Sequence, residues 1–451
     1  MESNGSSGNS LRKAFREVIA PFVGIAHTPR ALSGVYLTYF LEGLVYFGVL
    51  TLLTKYFHEN VALSDIHAGW IVGAFTGGIT LAMFFLGEFS DRWGVRASLL
   101  AALALIFLGR LVISGGDTFI PSGGLWSPLF FASMAGLFLI VLGYGFYQPA
   151  CYLAVRQFSS KEGATMGYAL LYALMNLGAF LSGVISPRVR LSTEEMFPPN
   201  GVGGVFWIYV VLSLAGLLAT LMIITKKSAG DEGAAAKGGA VKKEKWTFAK
   251  WWAEHPFRNA RFVFFIFILI PVQTLFAHQW LTIPQYVERA YTGVVSENFE
   301  FFTNINPLLI FVLTPIVAAL TSRVNVYTMM IAGTAVMALP TFLLSAGPNP
   351  TFLMAYILLM SAGEAMWSPR FLQWVAEVAP EGKTGAYMGI AQFPWFLTKL
   401  VTSTYSGWFL AQYCPEKGAR DTETLWLIYG VIALATPLVL WIFRGWAESK
   451  R

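Results

Sequence analysis

Four ionisable residues stand inside long apolar stretches of this sequence, where a charge requires a partner or a function. They are Glu42, Arg110, Glu364 and Lys399. At the middle of a membrane a charged side chain costs at least about 2.5–3.5 kcal/mol, so an unpaired one marks a candidate site. A carboxylate in a narrow cavity can bind an ammonium group or take up a proton, and a lysine can bind a carboxylate. The four residues therefore predict a binding chamber for a small charged solute.

The elements that must position these residues are membrane-spanning helices. Of the 451 residues, 56% are hydrophobic and only 12% are charged, whereas a soluble domain carries roughly 25% charged residues. This composition excludes a cytosolic enzyme, a nucleic-acid-binding protein and a disordered protein. Twelve stretches reach the roughly 20 apolar residues that a bilayer-crossing helix needs. They lie near residues 33–57, 67–88, 96–114, 128–153, 162–186, 204–225, 261–283, 300–321, 325–345, 350–374, 384–412 and 423–445.

One long polar segment, residues 226–260, separates the sixth span from the seventh. It predicts an all-α integral membrane protein whose twelve transmembrane helices form two six-helix bundles, an organisation typical of transporters built from parallel repeats. The predicted units are a cytoplasmic N-terminal segment (1–32), an N-terminal bundle (33–225), a basic cytoplasmic linker (226–260), a C-terminal bundle (261–445) and a cytoplasmic tail (446–451). Within the first unit, Leu11–Ala26 is either an interfacial helix or a frayed basic tail.

The positions of the basic residues predict the orientation. With the N-terminus in the cytoplasm, most of the 31 Lys and Arg residues fall in cytoplasmic segments, as the positive-inside rule requires. The outer loops would hold Lys55, Arg188, Arg190, Arg289, Lys417 and Arg420. Both termini are therefore expected in the cytoplasm, in a multi-pass protein of the plasma or inner membrane. The net charge of +6 then reflects topology and does not indicate a nucleic-acid partner.

The loop expected after the second span has a recognisable pattern. It reads G-x-x-x-D-R-x-G-x-R, with Gly87, Asp91, Arg92, Gly94 and Arg96 at the defined positions. The residues themselves indicate a tight turn at the glycines, where Asp91 can pair with arginines or cap a neighbouring helix. The simpler alternative is a basic cytoplasmic turn between two spans. The pattern resembles the signature loop of the major facilitator superfamily, which implies the twelve-helix fold and a role for these five residues in conformational gating.

Several separated segments carry a finer resemblance. They read Gly143-Tyr144-Gly145-Phe146-Tyr147-Gln148-Pro149, Tyr172-Ala173-Leu174-Met175-Asn176-Leu177-Gly178, Asn306-Pro307-Leu308-Leu309-Ile310, and Gly363-Glu364-Ala365-Met366-Trp367-Ser368-Pro369 followed by Val378-Ala379-Pro380 and Gly385-Ala386-Tyr387-Met388-Gly389. In this order they are similar to motifs of the proton-coupled oligopeptide transporters. The resemblance implies that Glu364 binds the substrate amino group and switches conformation.

The first and fourth spans depart from that family. Its first span carries E-x-x-E-R, of which only the second acid remains here, as Glu42, while Gly43 stands at the arginine. Gln148 stands at the fourth-span lysine. The family uses these basic groups to hold the peptide carboxylate and the proton-carrying acids, so both functions need another cation in this chain.

Lys399 is the candidate for that relocated positive charge. It would bind a substrate carboxylate, or pair with Glu364 or Glu42; alternatively it extends from a short helix to the interface. Glu42 is either a proton carrier, together with Glu364, or a counter-ion to Arg110 or Lys399. For Arg110, which is nearer an interface, a structural role is favoured. Polar and aromatic residues on chamber-forming spans complete the expected substrate site, namely Tyr46, Tyr144, Gln148, Asn176, Asn306 and Trp367.

The function expected from this resemblance is secondary active transport by alternating access, as proton-coupled symport of a small peptide or peptide-like zwitterion. Two alternatives remain open: a proton-coupled transporter of another solute, such as an organic cation or drug that is exported, and a non-transporting receptor on the same fold. The sequence has no P-loop, nucleophile motif or metal-ligand spacing, so no enzymatic activity, metal or cofactor is expected. The expected partners are the solute, protons and the lipid bilayer, for a monomeric protein.

Overall fold

The computed structural model describes residues 29–158, 161–225, 256–321, 324–378, 387, 390–391 and 393–448. The interfacial helix proposed for Leu11–Ala26, nearly all of the linker and the end of the tail lie outside these residues. So do the motif residues Ala379, Pro380, Gly385, Ala386, Met388 and Gly389.

The described part of the chain is helical in both halves. The first half contains α1 (Arg30–Lys55), α2 (Asp65–Trp93), α3 (Val95–Phe119), α4 (Pro128–Phe158), α5 (Lys161–Thr193) and α6 (Val202–Ile223). The second half contains α7 (Ala260–Ile268), α8 (Ile270–Leu281), α9 (Ile283–Ala290), α10 (Val294–Glu297), α11 (Phe299–Leu320), α12 (Val326–Ala338), α13 (Thr341–Leu344), α14 (Pro350–Val378), α15 (Phe393–Tyr413), α16 (Thr422–Ile442) and α17 (Arg444–Glu448). A π-helical turn, Tyr56–Asn60, extends α1, and a 3₁₀ turn, Pro256–Arg258, precedes α7.

These helices account for the twelve predicted spans, because α7 with α8 and α12 with α13 each make one crossing. In the described residues, ten helical stretches are long and apolar enough to cross a membrane. The ten do not include α14 and α15, which carry Glu364 and Lys399. Polar side chains lower the mean hydropathy of these two helices, as expected of helices that face a polar chamber.

The helices pack as two bundles that meet along two seams. In the N-terminal bundle α3 packs on α4, and α1 packs on α5 and α6; in the C-terminal bundle α12 packs on α14, and α8 packs on α15 and α16. The seams between the bundles are formed by α2 with α15 and by α5 with α11. The space enclosed between these seams contains the candidate site.

The seventh crossing is interrupted between α7 and α8, where Leu269 lies outside both helices. Thr436 of α16 satisfies two backbone groups that this break leaves free. Its Oγ1 donates to the Ile268 carbonyl at 2.7 Å and accepts from the Val272 amide at 3.0 Å. In a membrane a neighbouring helix must satisfy such freed backbone groups, since water is absent.

The turn between α2 and α3 is shorter than the sequence suggested. Helix α2 continues through Gly87, Asp91 and Arg92 to Trp93, and Gly94 alone separates it from α3. The φ angle of Gly94 is +79°, a value that glycine adopts without the steric cost of a Cβ. Of the two glycines expected to form the turn, Gly87 is therefore helical and Gly94 makes the turn.

Candidate functional site

A chamber with two unequal lobes lies between the bundles. The larger lobe has a volume of about 230 Å³ and the smaller about 80 Å³. Four side chains border both lobes, so the lobes adjoin; these four, Phe47, Met175, Phe276 and Trp280, are called the partition below. The larger lobe is also bordered by Tyr39, Glu42, Gly43, Tyr46, Ile79, Thr80, Met83, Tyr144, Tyr147, Gln148 and Lys399. The smaller lobe is also bordered by Tyr172, Asn176, Gln279, Thr303, Asn304, Asn306, Pro307, Ile310 and Glu364.

A buried ion pair forms part of the larger lobe's wall. Arg110 Nη1 donates to Glu42 Oε1 at 2.8 Å, and Arg110 Nη2 donates to Glu42 Oε2 at 2.8 Å. Tyr144 OH donates to the same carboxylate at 2.8 Å, while Ser213 Oγ accepts from Arg110 at 2.5 Å. Glu42 and Arg110 are only 3% and 4% exposed. Of the two partners considered for Glu42, the structure brings Arg110 to it.

Arg110 itself borders neither lobe, and what sequence reasoning left open is its pairing with Glu42. The signal that could have found it is the loss of the first-span arginine, because a lone acid in the first span needs a cation from another helix. The structure also gives a reason for Gly43. A Cβ on Gly43 would lie 2.9 Å from the Cα of Met175, so α1 and α5 approach too closely here for a long basic side chain.

Lys399 of α15 borders the larger lobe and is half-buried. Among the described residues it has no hydrogen bond and no ion pair, in contrast to Arg110. The structure therefore does not contain the expected ion pair of Lys399 with Glu42 or Glu364. Since Arg110 already neutralises Glu42, Lys399 adds a positive charge to the larger lobe that no acid among the described residues compensates.

The smaller lobe has the opposite charge. Glu364 of α14 is 6% exposed, and its Oε2 accepts a hydrogen bond from Asn306 Nδ2 at 3.1 Å. The same amide group donates to Ser361 Oγ at 2.9 Å. No cation pairs with Glu364 among the residues that the structure describes. Asn176 also borders this lobe, and its Nδ2 donates to the Tyr172 carbonyl at 2.8 Å.

The other expected substrate residues divide into two groups. Tyr46 and Gln148 border the larger lobe, as does Tyr144, whose ring meets that of Tyr46 edge-on at 5.1 Å. Trp367 borders neither lobe. It is fully buried, and its indole Nε1 donates to Met337 Sδ at 3.1 Å, so it packs α14 against α12. The hydropathy pattern could not separate these roles, because a buried aromatic side chain looks the same in a wall and in a helix interface.

One end of the chamber is sealed by three ion pairs that cross from one bundle to the other. Asp65 of α2 accepts from Arg289 of α9 through two bonds of 2.7 and 2.8 Å. Arg190 of α5 donates to Glu300 of α11 at 2.5 and 3.2 Å. Lys55 at the end of α1 pairs with Glu288 of α9. These three pairs define the closed end.

Close helix packing supports the closed end. A Cβ on Gly407 of α15 would lie 2.3 Å from the Asp65 carbonyl oxygen, so only glycine allows this contact between α2 and α15. Asn304 of α11 donates to Thr51 Oγ1 of α1, in the opposite bundle, at 2.9 Å. Of the basic residues expected in outer loops, Lys55 lies within α1, Arg188 and Arg190 lie within α5, and Arg289 lies in the short helix α9. The side chains of Lys55, Arg190 and Arg289 are bound in ion pairs, and the side of the membrane that this end faces stays a prediction.

Arg289 lies beyond the membrane-spanning part of its crossing. Burial lowers the pKa of this guanidinium, but the hydrogen bonds and charge of Asp65 outweigh burial and raise the pKa above its ordinary value. The arginine therefore stays charged at every physiological pH. A change in the closed end must come from separation of the helices and not from deprotonation of Arg289.

The gating motif is only partly described, because the side chains of residues 87–92 lie outside the described part of the structure. Arg96 is described, and its Nε donates to the Ile224 carbonyl at the end of α6, at 2.7 Å. Asp91 and Arg92 are among the residues whose side chains are not described, and their gating role stays a prediction.

Similarity to known proteins agrees with this architecture. The family model of the Major Facilitator Superfamily matches residues 35–291 and 276–451. The chain is 28% identical over 202 residues to the peptide transporter YePEPT of Yersinia enterocolitica subsp. palearctica, a match that covers 43% of this chain and 38% of that protein. It is 22% identical over 505 aligned positions to the dipeptide and tripeptide permease B of Yersinia enterocolitica, covering 94% of this chain and 96% of the permease.

A solved structure has the same fold. It is the crystal structure of a POT family transporter in complex with a thioalcohol conjugated peptide, which superposes with a TM-score of 0.71 at 17% identity and covers 93% of this chain and 97% of that chain. The chain forms two six-helix bundles around a charged chamber, and the family model matches nearly its whole length. The chain therefore belongs to the Major Facilitator Superfamily.

Proposed function

We propose that the chain is a proton-coupled transporter of short peptides or peptide-like zwitterions that works by alternating access. The observation that carries the proposal is the separation of charge in the chamber. Lys399 leaves a positive charge in the larger lobe and Glu364 a negative charge in the smaller lobe. A zwitterion that spans both lobes would place its carboxylate at Lys399 and its ammonium group at Glu364.

Proton coupling rests on Glu364 in this proposal. Arg110 and Tyr144 already satisfy Glu42, so protonation of Glu42 would leave the Arg110 charge buried without its partner. Glu364 has only neutral hydrogen-bond partners among the described residues, so it can change its charge at a smaller cost. For proton and peptide to cross together, Glu364 holds the proton while its carbonyl oxygen accepts a hydrogen bond from the ammonium group of the peptide. A proton on Glu364 biases the equilibrium between the two bundle arrangements only if the arrangements bind that proton with different affinity.

The closed end faces the outside in this proposal, with both termini in the cytoplasm and the protein in the cell membrane. The positive-inside distribution of Lys and Arg supports this orientation. A single chain forms the whole chamber, which supports a monomer as the working unit.

Export of an organic cation receives less support. A cation site needs an excess of acidic groups, but Arg110 cancels Glu42 and Lys399 adds a positive charge beside the same lobe. Peptide import is favoured also by the names of the relatives, which are peptide transporters and a dipeptide and tripeptide permease.

The test is uptake of radiolabelled Ala-Ala into proteoliposomes, with and without an inward proton gradient. Wild type should accumulate the dipeptide only with the gradient. Glu364→Gln should lose accumulation but retain exchange of external for internal Ala-Ala, because the amide oxygen of Gln still accepts a hydrogen bond from the ammonium group and exchange needs no net proton movement. Glu377→Gln is the matched control, since Glu377 is an exposed acid on the same helix and should behave as wild type.

Two other results of this uptake experiment would contradict parts of the proposal. Gradient-driven accumulation by Glu364→Gln at the wild-type level would remove Glu364 as the proton carrier. Failure of the wild type to take up any dipeptide under any gradient would contradict peptide transport and favour the receptor alternative.

A further inference from the structure

The two lobes differ in size and in chemistry. The larger lobe, at about 230 Å³, has nearly three times the volume of the smaller lobe, at about 80 Å³. Four tyrosines border the larger lobe but not the smaller: Tyr39, Tyr46, Tyr144 and Tyr147. Four side-chain amides border the smaller lobe but not the larger: Asn176, Gln279, Asn304 and Asn306. The larger lobe thus suits a bulky apolar or aromatic group, and the smaller lobe suits a compact polar one.

The charges fix which end of a ligand enters which lobe. Lys399, which has no acidic partner among the described residues, borders the larger lobe, and Glu364, which has no cationic partner among them, borders the smaller. A carboxylate and the side chain next to it would therefore occupy the larger lobe. An ammonium group and the side chain next to it would occupy the smaller lobe, behind the partition.

From this asymmetry we infer that the chamber selects dipeptides by the order of their residues, and accepts a small first residue with a bulky aromatic second residue. The inference rests on the proposed function and deepens it by naming the substrate class. Ile310 is the residue that limits the first side chain, because it is 4% exposed and borders only the smaller lobe.

The test compares Ala-Phe with Phe-Ala as competitors of Ala-Ala uptake. The two dipeptides have the same composition, charge and hydrophobicity, so a difference between them reports only the order of the residues. Wild type should bind Ala-Phe at least about 10-fold more tightly, since even one methylene group changes discrimination by roughly 10-fold or more in a close-fitting pocket.

A pair of matched variants locates the selectivity. Ile310→Ala enlarges the smaller lobe and should reduce the preference for Ala-Phe at least about threefold. Ile79→Ala removes the same atoms from the larger lobe and should leave Phe-Ala excluded. The ratio of the two inhibition constants is measured on one protein sample, so it does not depend on how much of a variant folds.

The outcomes separate this inference from the proposed function. Uptake of Ala-Ala with equal inhibition by both dipeptides, or with stronger inhibition by Phe-Ala, would overturn the selectivity while peptide transport stands. A preference for Ala-Phe that Ile79→Ala abolishes and Ile310→Ala leaves intact would overturn the assignment of the lobes. No uptake of Ala-Ala and no inhibition by either dipeptide would overturn both.

Discussion

Arg110 of α3 holds Glu42 of α1 by two parallel hydrogen bonds of 2.8 Å each. The sequence offers no arginine beside Glu42, because Gly43 occupies that position. The positive charge that balances this first-span acid therefore comes from a different helix. The pair ties α1 to α3 inside the N-terminal bundle, where neither residue reaches the opposite bundle.

Removal of one partner should destabilise the protein more than removal of both. Arg110→Met leaves the Glu42 carboxylate buried without a cation, and breaking a buried pair in this way costs about 3–5 kcal/mol. The double variant Arg110→Met with Glu42→Gln should recover much of that loss. Thermal unfolding in detergent measures both; a double variant as unstable as the single one would mean that the pairing is not the cause.

The same double variant separates the two candidate proton carriers. It lacks the carboxylate of Glu42 but retains Glu364. Gradient-driven uptake of Ala-Ala should survive in it if Glu364 carries the proton. Loss of the gradient dependence, with exchange of Ala-Ala intact, would instead assign the proton to Glu42.

Neutralisation of Lys399 should weaken the binding of ligands that have a free carboxylate. A hydrogen bond to a charged group contributes about 1.5–3 kcal/mol, so Lys399→Gln should raise the inhibition constant of Ala-Ala about 10- to 100-fold. Lys399→Arg keeps the charge and serves as the control. The C-terminally amidated dipeptide should bind wild type and Lys399→Gln alike. Equal binding of free Ala-Ala to both proteins would show that Lys399 does not bind the carboxylate and only extends towards the interface.

Loss of Asp65 should open the closed end. Arg289 donates to Asp65 and also to the Cys414 carbonyl at 3.1 Å, and the Cys414 side chain is fully buried. Burial raises the pKa of this thiol to about 11, so in the closed arrangement it is a poor nucleophile as well as an inaccessible one. Asp65→Asn removes one of three cross-bundle ion pairs. If this shifts the equilibrium between the closed and open end by only about 1.4 kcal/mol, the fraction of molecules with an accessible Cys414 thiol rises tenfold.

The measurement is the rate at which a membrane-impermeant maleimide labels intact cells that express the protein. Labelling should rise about tenfold in Asp65→Asn and disappear when Cys414→Ser is added. An unchanged rate in Asp65→Asn would show that the remaining contacts between the bundles hold this end closed without Asp65.

A side chain at Gly43 should destabilise the N-terminal bundle. The Cβ of Gly43→Ala would lie 2.9 Å from Met175 Cα, and overpacking of this kind costs about 1–3 kcal/mol. Gly216→Ala in α6 is the matched control, because its Cβ would be 3.9 Å from the nearest side-chain atom. A melting temperature that falls in both variants equally, or in neither, would contradict the close contact between α1 and α5.

The sequence predicted the helical architecture well for a physical reason. A span needs a run of about 20 apolar residues, and such a run is a local property that can be read without knowledge of the fold. Even α14 and α15, whose polar residues lower their hydropathy, were found because few charged residues interrupt these spans, namely Glu364 and Arg370 in the one and Lys399 in the other.

Partnerships between residues were harder to predict. Glu42 and Arg110 lie on different helices. The sequence left open whether Glu42 is a proton carrier, a counter-ion to Arg110 or a counter-ion to Lys399, and the structure pairs it with Arg110. The sequence could not show the ion pairs of Lys55, Arg190 and Arg289, because the positive-inside rule registers where a basic residue falls along the chain and not which side chain faces it. Trp367 was expected in the chamber from its motif, but the direction of a side chain around a helix depends on which helices pack against it.

The three ion pairs of the closed end do not share one polarity. The N-terminal bundle contributes two cations and one anion, and the C-terminal bundle contributes two anions and one cation. A rotation or slip that carried Asp65 to Glu288 or Glu300 would bring like charges together, and so would one that carried Arg289 to Lys55 or Arg190. The mixed pattern therefore favours a single alignment of the two bundles each time they close. Other alignments are disfavoured because they bring like charges together.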